Sequence, residues 1–140
     1  MKKLAILFLL ISVFSCKKET PKEIIIVEGK KIKQSEMAAL MNKMYDKNLE
    51  NKMLVLEGKS PKDFPKEFLN IHTAQLTNPS DRKATFGTFS DFYLKSFQKV
   101  YETSKDSLVY RHNNAINSCI TCHETTCVGP IPRIKKLLIK

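Results

Sequence analysis

The residues with the most chemistry fall together in one short stretch, Cys119-Ile120-Thr121-Cys122-His123. Two thiols three residues apart face the same side of a helical turn, and an imidazole follows the second directly. Cys-x-x-Cys-His is the attachment signature of c-type haem. The two thiols reach the two vinyl groups, and His123 becomes the proximal iron ligand. Other chemistries use part of the same pattern. A thioredoxin-like redox pair needs its Cys-x-x-Cys beside a βαβ pattern, which this sequence lacks. A structural zinc ion needs four tetrahedral ligands. Cys119, Cys122, Cys127 and His123 supply the count, but there is no separated second pair, and adjacent Cys122 and His123 rarely bind one ion together. The expectation is therefore one covalently bound haem c.

The chain start bears on where such a site would be built. Met1-Lys2-Lys3 is a short positive region, and Leu4 to Phe14 is a nearly unbroken apolar run. At about 11 residues the run is too short to cross a bilayer, which takes about 20, so it reads as an export leader. Val13-Phe14-Ser15-Cys16 resembles the lipobox of bacterial lipoproteins, with a small residue before the cysteine. That resemblance implies a lipidated Cys16 and a protein anchored to the cell envelope, on the periplasmic side. Ordinary leader cleavage near Ser15 would instead leave Cys16 as an odd thiol. Attachment of c-type haem outside the cytoplasm agrees with export.

The 140 residues leave room for one domain. With 42% apolar and 27% charged residues, four Gly and six Pro, the chain has a core to bury and few turn clusters. That composition excludes a disordered or collagen-like chain, and four Cys are too few for a disulfide scaffold. Residues 1–15 read as the leader and 16–32 as a tether and extended arm, with a β-prone Ile24-Ile25-Ile26-Val27 inside it. Residues 33–140 read as a helical body. A first helix is predicted from the N-cap Ser35 to about Glu57, before Gly58. A second starts at Asp63 and stops at Asn78-Pro79, with Phe64, Phe68, Ile71 and His72 on its inner face. A third starts around Ser80-Asp81 and carries the aromatic stripe Phe86, Phe89, Phe92, Tyr93, Phe97 and Tyr101. A fourth starts near Asp106 and ends in the cysteine motif. Short connections favour antiparallel neighbours. The fold class is all-α, an antiparallel four-helix bundle with the haem on its last long helix, a short N-terminal arm and a basic C-terminal helix.

This order, with Cys119-x-x-Cys122-His123 in the last long helix, resembles the cytochrome c′ family (class II c-type cytochromes). The resemblance covers roughly residues 35 to 124. It implies a four-helix bundle with haem at one end of the core and a first-helix residue facing the open side of the iron. A Met there implies six-coordinate, electron-transferring haem; a Leu or similar apolar residue implies a five-coordinate haem that binds NO or CO. The chain departs from the family in carrying Cys127 one turn after the haem His, where a basic residue is common, and in its tail from Gly129 onward.

No Met or His follows His123, so a second side-chain ligand must come from upstream. His112 is on the same helix and about 16 Å away along its axis, so it cannot reach the opposite haem face. By the family layout Met53 is too far along the first helix. Met37, Met41 and Met44 lie near the right end, with Met41 the first candidate and Met44 the next. For any one of them taken alone, the plainer reading is an ordinary core filler. His72, on the apolar side of the second helix, is a lesser candidate whose alternative is a satisfied core or helix-end histidine.

Lys and Arg outnumber Asp and Glu by 24 to 14, a formal charge of +10. Nucleic acid is not an expected partner for an exported, tethered protein. A positive face can instead steer docking with acidic redox proteins, or can be no more than a solvated lysine-rich surface. The remaining partners are the membrane, through the anchor, and a second copy of the chain as a homodimer. The sequence leads to an electron carrier rather than an enzyme, with the five-coordinate gas-binding protein as the alternative.

Overall fold

The structure, a computed structural model, describes residues 24–27 and 30–140. The leader, Cys16 and the start of the tether lie outside the described residues. Two short strands, β1 (Ile24–Val27) and β2 (Lys30–Lys33), pair antiparallel with Ile24 opposite Lys33 and Val27 opposite Lys30. The expected arm is therefore a small hairpin.

The body is helical. Helix α1 (Glu36–Leu56) starts where the Ser35 hydroxyl accepts the Ala38 N–H at 3.1 Å, satisfying one of the free first-turn donors. It ends at Gly58, whose φ of +69° is the left-handed conformation that glycine adopts without a steric penalty. Helices α2 (Phe86–Glu102) and α3 (Leu108–Thr126) are joined by residues 103–107 and pack as antiparallel neighbours. A short α4 (Ile131–Lys135) and the residues after it fold back on the body, as expected for the basic tail.

The second helix differs from expectation. Residues Lys66–His72 form a 3-10 segment of seven residues, and no α-helix spans Asp63 to Thr77. The segment starts at Pro65, which offers no capping side chain, and its N–H groups bond three residues back, Phe68 to Pro65 and Thr73 to Asn70. At three residues per turn Phe68 and Ile71 eclipse one another, and both are buried. His72, four residues after Phe68, is turned about 120° away and is exposed. The third helix also starts later than predicted. Asn78 caps a single turn at Pro79–Asp81, and α2 begins only at Phe86. In between, Arg82 donates to the carbonyls of His72 (2.8 Å) and Ala74 (2.6 Å), tying the loop to the 3-10 segment.

Cross-contacts give the direction of each strut. Asn48 and Asn51 of α1 meet Tyr93 and Tyr101 of α2 in the same order, so those helices run parallel. Phe64 meets Tyr101, Phe68 meets Phe97, and His72 meets Ser90, so the 3-10 segment runs antiparallel to α2. The result is an up-down-up-down body in which one strut is 3-10. The tail adds a fifth pass. Arg133 reaches Asn42, while Lys52 donates to the carbonyls of Lys136 and Leu138, so the tail climbs beside α1.

Phe97 is the centre of the main core. It is fully buried, with the rings of Phe64, Phe68, Tyr93 and Tyr101 at centroid distances of 5.2–5.8 Å. Burying such a side chain is worth about 1.5–3 kcal/mol, and each favourable ring pair adds roughly 0.5–1.5 kcal/mol. A second cluster, Ile116, Ile120, Ile134 and Leu137, holds the tail against α3.

Candidate functional site

The cysteine motif borders a cavity of about 130 Å³ that opens to solvent. Its walls are mostly apolar, as those of ligand sites generally are. Helix α3 contributes Cys119, Cys122 and His123, and α1 contributes Met41, Met44 and Tyr45. Ile71 of the 3-10 segment, Phe89 and Tyr93 of α2, and Ile134 and Leu137 of the tail complete the walls. Residues far apart in sequence, Met41, Met44, Cys119, Cys122 and His123, thus share one cavity.

The two thiols sit on consecutive turns of α3, and Cys119 donates to the Ala115 carbonyl at 3.3 Å. Burial, then the neighbouring Cys122, pushes the Cys119 thiol far above the usual thiol range; burial also raises Cys122. Redox-active Cys-x-x-Cys pairs need the opposite shift, because the thiolate is the nucleophile. The environment therefore gives no support to a thioredoxin-like pair. Among the described residues no three His, Cys, Asp or Glu side chains converge in a way that could hold a metal ion, so the four-ligand zinc arrangement is not assembled.

His123 lies in the last turn of α3, and its Nδ1 is 2.7 Å from the Cys127 carbonyl oxygen. A carbonyl can only accept, so Nδ1 carries a proton, and in the neutral ring Nε2 is then the nitrogen with the lone pair. Metal-binding histidines are commonly held this way, with one ring N–H on a backbone carbonyl fixing the tautomer and ring plane. The Cys127 N–H closes the same turn by donating to the His123 carbonyl at 3.1 Å. The Cys127 thiol is exposed and free.

Of the candidate second ligands, Met41 (half-buried) and Met44 (buried) line the cavity. Met37 is buried elsewhere and Met53 is 54% exposed. His72 is not among the lining residues. It is exposed, with Nδ1 3.3 Å from the Ser90 hydroxyl and Nε2 3.4 Å from Asp91. Its expected place on the apolar side is thus corrected by the 3-10 geometry. His112 is fully buried, and its Nε2–H donates to the Leu137 carbonyl at 2.9 Å, so it pins the tail.

Sequence reasoning missed several contributors to the site. The Cys127 carbonyl is a backbone atom with no side-chain signal. Tyr93 accepts a hydrogen bond from Asn48 at 3.0 Å on the cavity wall, and burial keeps its hydroxyl protonated well past the usual tyrosine range. Arg133 borders the mouth. The spacing of Ile131, Ile134, Leu137 and Leu138 gave a signal for a packed tail, though not for the wall it completes.

No family model matches the chain, and neither a search of curated proteins nor one of solved structures returns a match. The functional reading rests on the chemistry of the chain itself.

Proposed function

We propose that this protein is a monohaem c-type cytochrome that transfers single electrons. It is built as a four-strut helical bundle, exported, and held at the periplasmic face of the cell envelope by a lipid on Cys16. One observation carries the reading: both motif thiols and an imidazole with an available Nε2 open onto one largely apolar cavity that two methionines of another helix also line. The residues fit the group in kind. The apolar walls and open mouth suit a flat macrocycle, the paired thiols suit thioether linkage, and the oriented imidazole suits axial ligation. Bound there, haem supplies the one-electron iron couple, and the protein supplies attachment, orientation and electrostatics.

In this reading Cys119 and Cys122 hold the porphyrin and His123 ligates iron through Nε2. Met41, or failing it Met44, provides the second axial ligand. Met/His ligation raises the reduction potential relative to two histidines. The excess of basic side chains steers docking with acidic redox partners.

The test is expression with a haem-maturation system, followed by intact mass and a visible spectrum of the purified protein. The added mass of one haem, lost in the Cys119→Ala/Cys122→Ala double variant, supports the proposal. An unmodified mass with no Soret band overturns it. Low-spin spectra support the electron carrier, whereas high-spin spectra that shift with carbon monoxide support the gas-binding alternative.

A further inference from the structure

Arg133 is the only lysine, arginine, aspartate or glutamate among the described residues that lines the cavity. Its guanidinium lies over the Tyr45 ring, 3.7 Å from the centroid, and Nη1 donates to the Asn42 amide oxygen at 2.9 Å. Its other terminal nitrogen, Nη2, is 3.8 Å from Asp46 Oδ1, beyond hydrogen-bonding distance. An arginine carries five N–H donors, so most of this fork has no protein acceptor at hydrogen-bonding distance among the described residues. The ring beneath and the amide beside it hold the fork in one plane at the mouth. An apolar chamber with a single fixed, flat cation at its rim is complementary to a ligand with an apolar body and a carboxylate edge.

We propose that Arg133 binds a carboxylate of the prosthetic group and so fixes which edge of the macrocycle faces solvent. This rests on the haem reading above. Tyr45 and Asn42 are positioning residues that orient the guanidinium, and Asp46 is a competing carboxylate that the ligand displaces. The C-terminal tail, which lies beyond the cysteine motif in sequence, thereby becomes part of the binding site. Its cation at the rim also favours the reduced, less positive iron over the oxidised one, so removing the charge lowers the midpoint potential.

The experiment is a redox titration of the matured protein across pH, with intact mass and urea unfolding measured on every sample. A carboxylate beside a guanidinium ionises at lower pH, so Arg133→Gln is expected to move the pH-dependent segment of the midpoint potential upward. A shift of about one pH unit corresponds to a tenfold change in the ionisation constant. The midpoint potential itself changes in Arg133→Gln, and Arg133→Lys restores part of both effects. Asp46→Asn, which removes the competitor, moves the segment the other way. A purely structural tie between tail and α1 would alter urea stability and leave the potential–pH curve in place. Superimposable curves for Arg133→Gln and Asp46→Asn, on haem-loaded and folded protein, overturn the assignment. If Arg133→Gln does not fold, the Arg133→Lys and Asp46→Asn curves decide alone. A mass without haem instead overturns the function on which the assignment rests, so the two failures are distinct.

Discussion

The Nδ1–H of His123 donates to the carbonyl oxygen of Cys127, four residues on and at 2.7 Å, so the imidazole is oriented by backbone and not by a side chain. The Cys127 side chain is correspondingly free of that task. In the proposed cytochrome Cys127 is expected to be the reactive thiol of the motif region, because haem attachment would consume Cys119 and Cys122 in thioethers. Iodoacetamide labelling followed by peptide mass analysis should modify Cys127 and neither motif cysteine. Cys127→Ser should abolish that label and leave the visible spectrum unchanged. A changed spectrum would show that the thiol, and not the carbonyl, matters to the imidazole.

Met41 and Met44 share a cavity but differ in burial, which separates their variants. Met44 is 5% exposed, and truncating a buried methionine to alanine costs about 2–5 kcal/mol. Met41 is half-buried and should cost less. Met41→Ala is expected to convert the low-spin spectrum to a high-spin one with a small loss of urea stability. Met44→Ala is expected to do the reverse, keeping the spectrum and losing stability. Interchanged outcomes would assign the ligand to Met44.

His112 makes stability depend on pH. Burial lowers its pKa below the ordinary histidine value of 6.5, outweighing the opposing bond to the Leu137 carbonyl. Its Nδ1 has no partner, so a second proton would be stranded. Below pH 6.5 the unfolded chain binds a proton there that the folded chain resists, so folding stability falls as pH falls from about 7 to 5. Urea midpoints over that range should decline, and the decline should be shallower in His112→Gln. An equal slope in both proteins would place the effect elsewhere.

Phe97 touches four other rings and is fully buried, so Phe97→Ala should cost about 3–5 kcal/mol in urea unfolding. A loss under 1 kcal/mol would mean that the aromatic cluster does not centre on this residue.

How much of this was legible before the structure depends on the kind of signal. Helix α1 was readable because Ser35 caps it and Gly58 ends it, both local chemistry. The aromatic stripe of α2 was readable because its 3–4 spacing sums over several turns. Residues 66–72 were not, because Phe68 and Ile71 fit an α-helical and a 3-10 repeat equally well, and only His72 distinguishes them. The pair Cys119 and Cys122 stood out by spacing alone. That α1 would bring Met41 and Met44 to the cavity was anticipated only through the family resemblance. Arg133 and the Cys127 carbonyl depend on where the tail packs, which no local pattern states.

The tail has a further consequence for assembly. Pro130, Arg133, Ile134 and Leu137 line the cavity, yet all follow the cysteine motif in the chain. A chain exported from its N-terminal end delivers α1, α2 and the motif to the far side before it delivers that wall. In the proposed cytochrome, covalent loading can therefore begin on a bundle that is not yet latched. Lys52, His112 and Asn113, which grip the carbonyls of residues 136–139, then act as the clasps that shut it.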